Sequence, residues 1–253
     1  MSKIKRLQTI VLAGGKGTRM KSFLPKVMVE LDGKPLLDHA LGNLIASSVD
    51  DSPLVVVGFG REIVQKHLGN MRTCWQWEQK GTGHAVQCCQ ELLAGKCENI
   101  LTLYGDMPFV SPATIRKLAQ THIKSEAILT MVTIQVPDYQ DWRQSLYSHG
   151  RVLRNGNGEV IDVCEITDAN SEILCQTEVN PSFFCFQEEW LWPALLKLQT
   201  NNALGEIYLT DLVRIAFSEG RTVTTIFGQS RDGVGVNNLE ELAIATKIIK
   251  EEN

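Results

Sequence analysis

The sequence predicts an α/β domain whose mostly parallel central sheet is flanked by helices and carries an antiparallel insertion. Runs rich in β-branched residues alternate with helical patterns over the first hundred residues, which is typical of βαβ units. Further along, two strand patterns enclose an Asn-Gly turn, which indicates an antiparallel hairpin. With 253 residues and no linker-like segment, a single domain over residues 1–253 is expected.

The N-terminal elements follow one another in regular alternation. A strand pattern at 9–12 precedes a helical pattern at 36–45, and a second strand pattern at 54–57 precedes a helical pattern at 62–68. The strand pattern at 100–104 is apolar on both faces, so we expect helices to cover both sides and the strand to lie centrally.

The middle and the end of the chain have different patterns. Strand patterns at 151–154 and 159–163 enclose the turn Asn155-Gly156-Asn157-Gly158, so residues from about 135 to 190 are expected to form an antiparallel subdomain. Residues 238–250 are expected to form a closing amphipathic helix, because apolar residues recur there at helical spacing. These apolar residues are Leu239, Leu242, Ile244, Ile248 and Ile249.

The composition limits the classes of partner. The formal net charge of −4 gives no electrostatic reason to expect nucleic acid or an anionic membrane as the main partner. The basic residues 1–6 precede an apolar run too short for a signal peptide, and no later run has transmembrane length. The seven cysteines are scattered and form no Cys-x-x-Cys pair, so we expect reduced thiols in a cytoplasmic protein.

A glycine-rich loop follows the first strand pattern. The three glycines let the main chain turn tightly, so that several N–H groups can converge on phosphate oxygens. Positive charge from Lys16, Arg19, Lys21 and Lys26 adds to this, and triphosphate binding follows. The spacing is neither that of a Walker A loop nor that of a Rossmann fingerprint. On glycine and lysine content alone, a flexible surface turn explains the loop equally well. The full string is Leu12-Ala13-Gly14-Gly15-Lys16-Gly17-Thr18-Arg19-Met20, with Leu24-Pro25-Lys26 shortly after.

An aspartate ends the central strand pattern, in Tyr104-Gly105-Asp106-Met107-Pro108. Carboxyl ends of parallel strands are where open α/β sheets bind ligands, and Mg²⁺ needs few protein oxygens when phosphates supply the rest. Asn237, in Gly233-Val234-Gly235-Val236-Asn237-Asn238, is a candidate second ligand. On the residues alone, Asp106 is more simply a turn residue and Asn237 an N-cap.

The segment Gln76-Trp77-Glu78-Gln79-Lys80-Gly81-Thr82-Gly83-His84-Ala85 follows a short strand pattern and opens a helix. Gly-Thr-Gly at a helix start offers free N–H groups, and the Gln76 amide can donate to and accept from a pyrimidine edge. His84 is interpreted as a structural residue, because phosphoryl transfer here needs no proton abstraction.

Together these strings resemble the sugar-1-phosphate nucleotidyltransferases, or pyrophosphorylases, whose loop reads Leu-Ala-x-Gly-x-Gly-Thr-Arg-Met/Leu with Pro-Lys shortly after. The resemblance is more specific to the uridylyltransferase half of the bifunctional bacterial GlmU enzymes and runs from Val11 to the closing helix. It implies a Rossmann-like, GT-A-like nucleotidyltransferase fold, with Mg²⁺, UTP and N-acetylglucosamine-1-phosphate as cofactor and substrates. The strings that carry it also include Leu103-Tyr104-Gly105-Asp106 and Gly205-Glu206-Ile207-Tyr208-Leu209-Thr210-Asp211.

The resemblance also implies roles for individual residues. Arg19 would act on the β- and γ-phosphates, Lys26 would bridge the α-phosphate and the sugar phosphate, and Asp106 and Asn237 would hold Mg²⁺, with Asn238 left to cap the helix. Without the resemblance, Glu165, Asn180 and Tyr208 are more simply structural residues. Implied nucleotide contacts are Leu12, Ala13, Gly14, Gly15, Gly17, Thr18, Gln76, Gly81 and Thr82. Implied sugar or ribose contacts are Tyr104, Gly105, Gly150, Glu165, Asn180 and Tyr208.

Two departures from the family concern the sugar side. The bifunctional enzymes read Asn-Thr-Gly where this chain reads Asn180-Pro181-Ser182, and Gly-Tyr-Gly-Arg where it reads Ser148-His149-Gly150-Arg151. A different base or sugar, or a non-catalytic nucleotide-sugar binder, therefore remains an alternative. The chain ends where those enzymes begin an acetyltransferase domain, so no acetyl transfer is expected. A monomer or small homo-oligomer is the expected assembly.

Overall fold

The computed structural model describes residues 5–20 and 22–251. The basic residues 1–4 and Lys21, one of the cationic residues assigned to the glycine-rich loop, lie outside the described residues. The strands are β1 Lys5–Ala13, β2 Glu30–Leu31, β3 Lys34–Pro35, β4 Leu54–Val57, β5 Thr73–Trp75, β6 Cys97–Tyr104, β7 Leu129–Gln135, β8 Gly150–Arg154, β9 Val160–Cys164, β10 Glu178–Asn180, β11 Phe184–Gln187 and β12 Val223–Phe227. The α-helices are α1 Leu36–Ser47, α2 Arg61–Leu68, α3 Thr82–Gln87, α4 Gln90–Leu93, α5 Pro112–Ser125, α6 Ser171–Leu174, α7 Glu188–Leu195, α8 Asp211–Ser218 and α9 Leu239–Glu251.

The main sheet has the order β5-β4-β1-β6-β11-β7-β10-β8-β9, and β12 also pairs with β7. The first four strands in this order are mutually parallel, as the βαβ alternation predicts. Strand β6 lies between β1 and β11, which confirms its predicted central position. Because Leu12 pairs with Tyr104, the glycine-rich loop and the Asp106 segment leave the sheet side by side.

The antiparallel hairpin predicted around Asn155-Gly156 is present as β8 and β9. Its strands continue the main sheet through β10 and β7 rather than forming a separate sheet. Strands β10 and β11 both pair with β7, and the chain bends between them. On the side away from β7, β10 pairs with β8 and β11 pairs with β6, so the sheet divides at the end of β6.

Helices cover both faces of the sheet, and β6 shows why. Its buried side chains alternate between two apolar clusters, with Leu101 and Leu103 in one and Ile100 in the other. The first cluster includes residues of α1, α2 and α5, and the second includes residues of α3, α4, α7 and α8. This two-sided cover confirms the predicted α/β class.

Two further features concern the cysteines and the helices. The seven cysteines, all of which lie within the described residues, form no disulfide with one another. Within residues 5–20 and 22–251, no helix has both the length and the apolar character needed to cross a bilayer.

Candidate active site

A cavity of about 670 Å³ opens where β1 and β6 end. Carboxyl ends of parallel strands are the usual ligand sites of open α/β sheets. Most of the residues selected from the sequence line this cavity, namely Leu12, Ala13, Gly14, Gly15, Gly17, Thr18, Arg19, Lys26, Gln76, Gly81, Thr82, Tyr104, Asp106, Glu165, Tyr208 and Asn237.

Lys26 starts the short 3₁₀ helix Lys26–Met28, and its amine contacts two residues from distant parts of the chain. Nζ forms an ion pair with the Asp106 carboxylate and donates a hydrogen bond to Asn237 Oδ1 at 2.8 Å. The Val236 N–H donates to the Asp106 carbonyl at 3.0 Å, which holds the segment before α9 beside the end of β6. Asp106 and Asn237 therefore face the same point of the cavity.

The donor set at this point fits a small, hard cation. It consists of one carboxylate and one amide oxygen, both converging on the position of the Lys26 amine. In the described part of the chain, no group of three or more His, Cys, Asp or Glu side chains forms an all-protein metal cage. Mg²⁺ in phosphate-handling sites is held by one or two carboxylates together with substrate phosphates and water, so Asp106 and Asn237 suit it.

The glycine-rich loop packs closely against its neighbours. A Cβ on Gly14 would lie 2.7 Å from Gln76 Oε1, and the Gly14 carbonyl accepts a hydrogen bond from the Phe59 N–H at 3.1 Å. A Cβ on Gly17 would lie 2.6 Å from the Cβ of Lys26. Glycine is required at both positions because the loop contacts the side chains that line the cavity.

Gln76 lies next to this loop and is buried, with 5% of its surface exposed. Its Nε2 donates to the Gly81 carbonyl at 3.1 Å and lies 3.2 Å from His84 Nδ1. Burial is the main cause of a lowered pKa for His84, which favours the neutral imidazole. His84 therefore acts here as a support for the Gln76 amide, in agreement with its structural interpretation.

Gly81 lies where two segments of the cavity wall are joined. Its φ of +109° lies in a region that only glycine adopts readily, and a Cβ there would lie 2.5 Å from the Ile207 carbonyl oxygen. The Gly83 N–H donates to that same carbonyl at 2.8 Å, and Thr82 Oγ1 accepts from the Leu209 N–H at 2.9 Å. The segments around residues 82 and 208 are thereby fixed together.

One part of the cavity wall, which includes Tyr104, Glu165 and Tyr208, carries polar groups suited to a hydroxylated ligand. Glu165 Oε1 accepts a hydrogen bond from Thr210 Oγ1 at 2.8 Å, and burial raises the pKa of the Glu165 carboxyl. Burial also raises the pKa of Tyr104. The Tyr208 hydroxyl is buried and makes no hydrogen bond within the described part of the chain. This wall therefore has acceptors and donors that a hydroxylated ligand can satisfy.

The chain matches the model of a known protein family over most of its length. The model of the MobA-like NTP transferase domain matches residues 9–209, which include the glycine-rich loop, Lys26, Gln76 and Asp106. The chain belongs to this family. It is therefore a nucleotidyltransferase.

Individual relatives agree with the family match. The nucleotidyltransferase is similar to the bifunctional protein GlmU of Clostridium botulinum (36% identity over 244 residues), of Enterococcus faecalis (38% over 242) and of Streptomyces coelicolor (37% over 259). These alignments cover 96%, 95% and 99% of the chain but 52%, 51% and 52% of the relatives. The chain thus spans about half the length of the curated relatives it matches, and the matched part is their N-terminal half.

Three residues selected from the sequence lie behind the cavity wall of this nucleotidyltransferase. Asn180 is 1% exposed, and its side chain donates to the Val132 carbonyl at 2.8 Å and accepts from the Ser182 N–H at 3.0 Å. Asn180 thus stabilises the bend between β10 and β11. Gly105 packs against Leu37, where a Cβ would lie 2.9 Å from Cδ1, and a Cβ on Gly150 would lie 2.7 Å from Val163 Cγ1.

Both departures from the family sequence line the cavity. The bend places Pro181 and Ser182 in the wall, and Ser182 keeps a left-handed φ of +63° although it is not glycine. Ser148 and His149 also line the cavity, and His149 Nε2 donates to the Gly233 carbonyl at 2.6 Å. Burial is the main cause of a lowered pKa for His149.

Other lining residues were not selected from the sequence, although some signals existed. Thr210 belongs to the quoted Gly205–Asp211 string, and its hydroxyl holds Glu165 in place. Glu206 comes from the same string. Gln79 lies three residues after Gln76 and donates from Nε2 to the Gln76 carbonyl at 3.1 Å. Spacing alone did not indicate that these side chains face the ligand space.

Proposed function

We propose that this nucleotidyltransferase transfers uridylyl from UTP to N-acetylglucosamine-1-phosphate, giving UDP-N-acetylglucosamine and pyrophosphate, with Mg²⁺ as cofactor. The observation that carries the proposal is the contact of the Lys26 amine with both Asp106 and Asn237 inside the cavity. Two anions must meet in this reaction, and a cationic amine beside two oxygen ligands answers that electrostatic requirement. The relatives named GlmU support the direction of the proposal.

The proposed reaction is a single in-line displacement. A phosphate oxygen of the sugar-1-phosphate forms a bond to the α-phosphorus of the triphosphate, and the bond from that phosphorus to the bridging oxygen of the β-phosphate breaks. The electron pair leaves with pyrophosphate. Lys26 would neutralise charge between the α-phosphate and the sugar phosphate, and Arg19, which is exposed and lines the cavity, would bind the β- and γ-phosphates.

Asp106 and Asn237 are the residues proposed to hold the metal. When bound, Mg²⁺ supplies charge stabilisation to the phosphate oxygens. The position of the Lys26 amine between the two ligands supports the assignment, because it shows that both oxygens reach one cation at the same time. The family resemblance supports a divalent metal in general, and the small number of protein oxygen ligands favours Mg²⁺ over Ca²⁺, which usually takes more of them.

The base pocket supports a pyrimidine. The Gln76 amide oxygen offers an acceptor and the backbone of the 81–82 segment offers N–H donors at the cavity wall, while the Gln76 NH₂ is held by Gly81 and His84. The polar groups of Glu165, Thr210 and Tyr208 in the cavity wall support the proposal of a hydroxylated acceptor. Seven cysteines that form no disulfide with one another support a reducing, cytoplasmic setting, with soluble small molecules as substrates. The proposed assembly is a monomer or small homo-oligomer.

A second candidate function is nucleotidyl transfer with a different sugar-phosphate acceptor or a different nucleotide base. It is favoured by Pro181 and Ser182, which line the cavity where the family has a more permissive backbone. A matrix of UTP, CTP, GTP and ATP against N-acetylglucosamine-1-phosphate, glucose-1-phosphate and mannose-1-phosphate, scored by pyrophosphate release, distinguishes the two.

The expected result of the matrix is that UTP with N-acetylglucosamine-1-phosphate gives the highest kcat/KM. Release with other pairs but not with this one would remove the specific substrates and keep nucleotidyl transfer. Absence of pyrophosphate with every pair, together with measurable binding of a nucleotide sugar, would indicate a non-catalytic binder.

Ser182→Gly tests the departure at the bend. Removing the side chain should relieve the left-handed backbone conformation and enlarge the cavity on the sugar side. We expect the KM for N-acetylglucosamine-1-phosphate to fall about threefold to tenfold, which corresponds to about 1 kcal/mol, while the KM for UTP stays unchanged.

Ser48→Gly is the matched control, because Ser48 is exposed, has a φ of +57° and lies away from the cavity. It should change the free energy of unfolding to a similar extent and leave both KM values unchanged. Equal effects of the two substitutions on the acceptor KM would show that Ser182 has no part in acceptor selection.

A further inference from the structure

We propose that Glu241 is a positioning residue that turns the Asn237 amide so that its oxygen faces the metal and phosphates. This inference rests on the proposed function, because it concerns the metal ligand Asn237. Glu241 lies in the first turn of α9, and only 8% of its surface is exposed. Its carboxylate does not line the cavity, so Glu241 acts on the site only through its neighbours and not by direct contact with a ligand there.

The hydrogen bonds around Glu241 fix which end of the amide points where. Glu241 Oε2 accepts from the Asn237 N–H at 2.7 Å and from Asn237 Nδ2 at 2.9 Å. An ionised carboxylate only accepts hydrogen bonds, so the NH₂ end of the amide must face Glu241. The oxygen end of the amide therefore faces the cavity, where Asn237 Oδ1 accepts a hydrogen bond from the Lys26 amine at 2.8 Å.

The orientation decides whether Asn237 can bind a cation at all. An amide turned by 180° would present its NH₂ group to the metal and to Lys26, both of which are positively charged. The metal–oxygen contact and the hydrogen bond from Lys26 would then both be lost. The two orientations of an isolated amide have almost the same shape, so packing alone does not select between them. A carboxylate on the opposite side does select, because it pairs only with NH₂.

Glu241 also takes part in the cap of α9, and this role must be separated from positioning. Asn238 Oδ1 accepts from the Glu241 N–H at 2.9 Å, and Asn238 Nδ2 donates to Glu241 Oε1 at 3.0 Å. Asn238 is therefore the N-cap, as expected from the sequence. Substituting Asn238 weakens the cap and leaves both contacts between Glu241 and Asn237 in place, so it serves as the matched control.

The experiment measures metal affinity without depending on the identity of the base or the sugar. Mn²⁺ is titrated into the protein with an equimolar amount of inorganic pyrophosphate, the product of nucleotidyl transfer, and free Mn²⁺ is followed by electron paramagnetic resonance. A parallel titration of pyrophosphate without protein corrects for the Mn²⁺ that pyrophosphate itself binds. Outer hydrogen-bond partners of metal ligands typically contribute 10- to 100-fold in affinity. We therefore expect Glu241→Ala to raise the Kd for Mn²⁺ about 10- to 100-fold.

Two companion variants distinguish orientation from charge and from helix capping. Glu241→Gln still offers one oxygen to both N–H groups of Asn237, so its Kd should stay within about threefold of the unmodified value. Asn238→Ala should lower the thermal midpoint, because loss of an N-cap costs about 1 kcal/mol, and should leave the Kd unchanged.

A double substitution provides a positive test. A carboxylate presents an oxygen whichever way it is turned, so Asn237→Asp should restore Mn²⁺ affinity in the Glu241→Ala background. In the presence of Glu241 the same change should weaken binding, because two carboxylates then face each other. The opposite signs of the two effects form a double-mutant cycle that a structural role of Glu241 would not produce.

The outcomes separate the two proposals. If the unmodified protein does not bind Mn²⁺ with pyrophosphate, the metal site of the proposed function is wrong. If it binds, and Glu241→Ala either leaves the Kd unchanged or shifts it no more than Asn238→Ala does, Glu241 has no positioning role. If Glu241→Ala does not fold, the Asn237→Asp substitution in the presence of Glu241 tests the proposal instead. A tighter Kd for Mn²⁺ in that variant would overturn the proposal.

Discussion

Replacing Asp106 with Ala is expected to reduce turnover by about two to three orders of magnitude, which corresponds to about 3–4 kcal/mol of lost transition-state stabilisation. Asp106 is the one carboxylate that contacts the Lys26 amine, among the described residues, and its oxygens converge with Asn237 Oδ1 on one position in the cavity. Without Asp106, the proposed metal would keep a neutral amide as its only ligand from this pair. The charge that offsets the phosphates would then be poorly held.

Pyrophosphate release measured over a range of Mg²⁺ concentrations checks this prediction. The exposed Asp51→Ala is a suitable control, because it removes a carboxylate of the same size that does not line the cavity. Turnover of the Asp106→Ala variant close to that of the control, with Mg²⁺ still required, would refute the assignment of Asp106 as a metal ligand.

Lys26→Met is expected to lower kcat/KM by about 100- to 1,000-fold, for a different physical reason. Methionine retains most of the apolar length of the side chain, so packing against Gly17 changes little while the positive charge is lost. The sugar phosphate and the α-phosphate then approach each other without the cation between them. We expect the loss to appear in both kcat and the KM of the acceptor, since repulsion acts in the ground state and in the transition state.

Steady-state kinetics with the sugar phosphate varied at saturating triphosphate tests this expectation. Lys66→Met serves as control, because Lys66 is exposed on α2 and is not part of the cavity wall. Lys26→Arg should not restore activity, because a planar guanidinium cannot replace the compact ammonium that contacts both Asp106 and Asn237. Retention of more than about a tenth of kcat/KM by Lys26→Met would exclude a bridging role.

Local patterns in the sequence were sufficient for the elements that depend on near neighbours. The four residues of β4 coincide with the predicted strand, and the Asn155-Gly156 turn lies between β8 and β9 as expected. The N-cap of α9 was assigned less directly, because the local pattern alone favoured Asn237 and only the family resemblance left the cap to Asn238, whose side chain accepts from the Glu241 N–H. Patterns of this kind are fixed by hydrogen bonds and side-chain periodicity within one segment.

The sequence indicated the chemistry of the site through the strand-end residue Asp106 and through the family resemblance, which implied the roles of Lys26 and Asn237. All three residues line the cavity. Asn180 was selected in the same way, but its amide stabilises the bend between β10 and β11 from behind the wall. The difference arises because a motif identifies a residue and not the direction of its side chain.

The sequence by itself determined the α/β class, the glycine-rich loop and the residue types needed to neutralise phosphates. Only the tertiary structure decided that the Lys26 amine meets Asp106 and Asn237, that Ser182 faces the cavity and that Glu241 orients an amide. The physical reason is the pairing of β1 with β6 and the docking of the segment before α9 on the end of β6. These long-range contacts depend on the summed packing of the whole sheet, which no local pattern encodes.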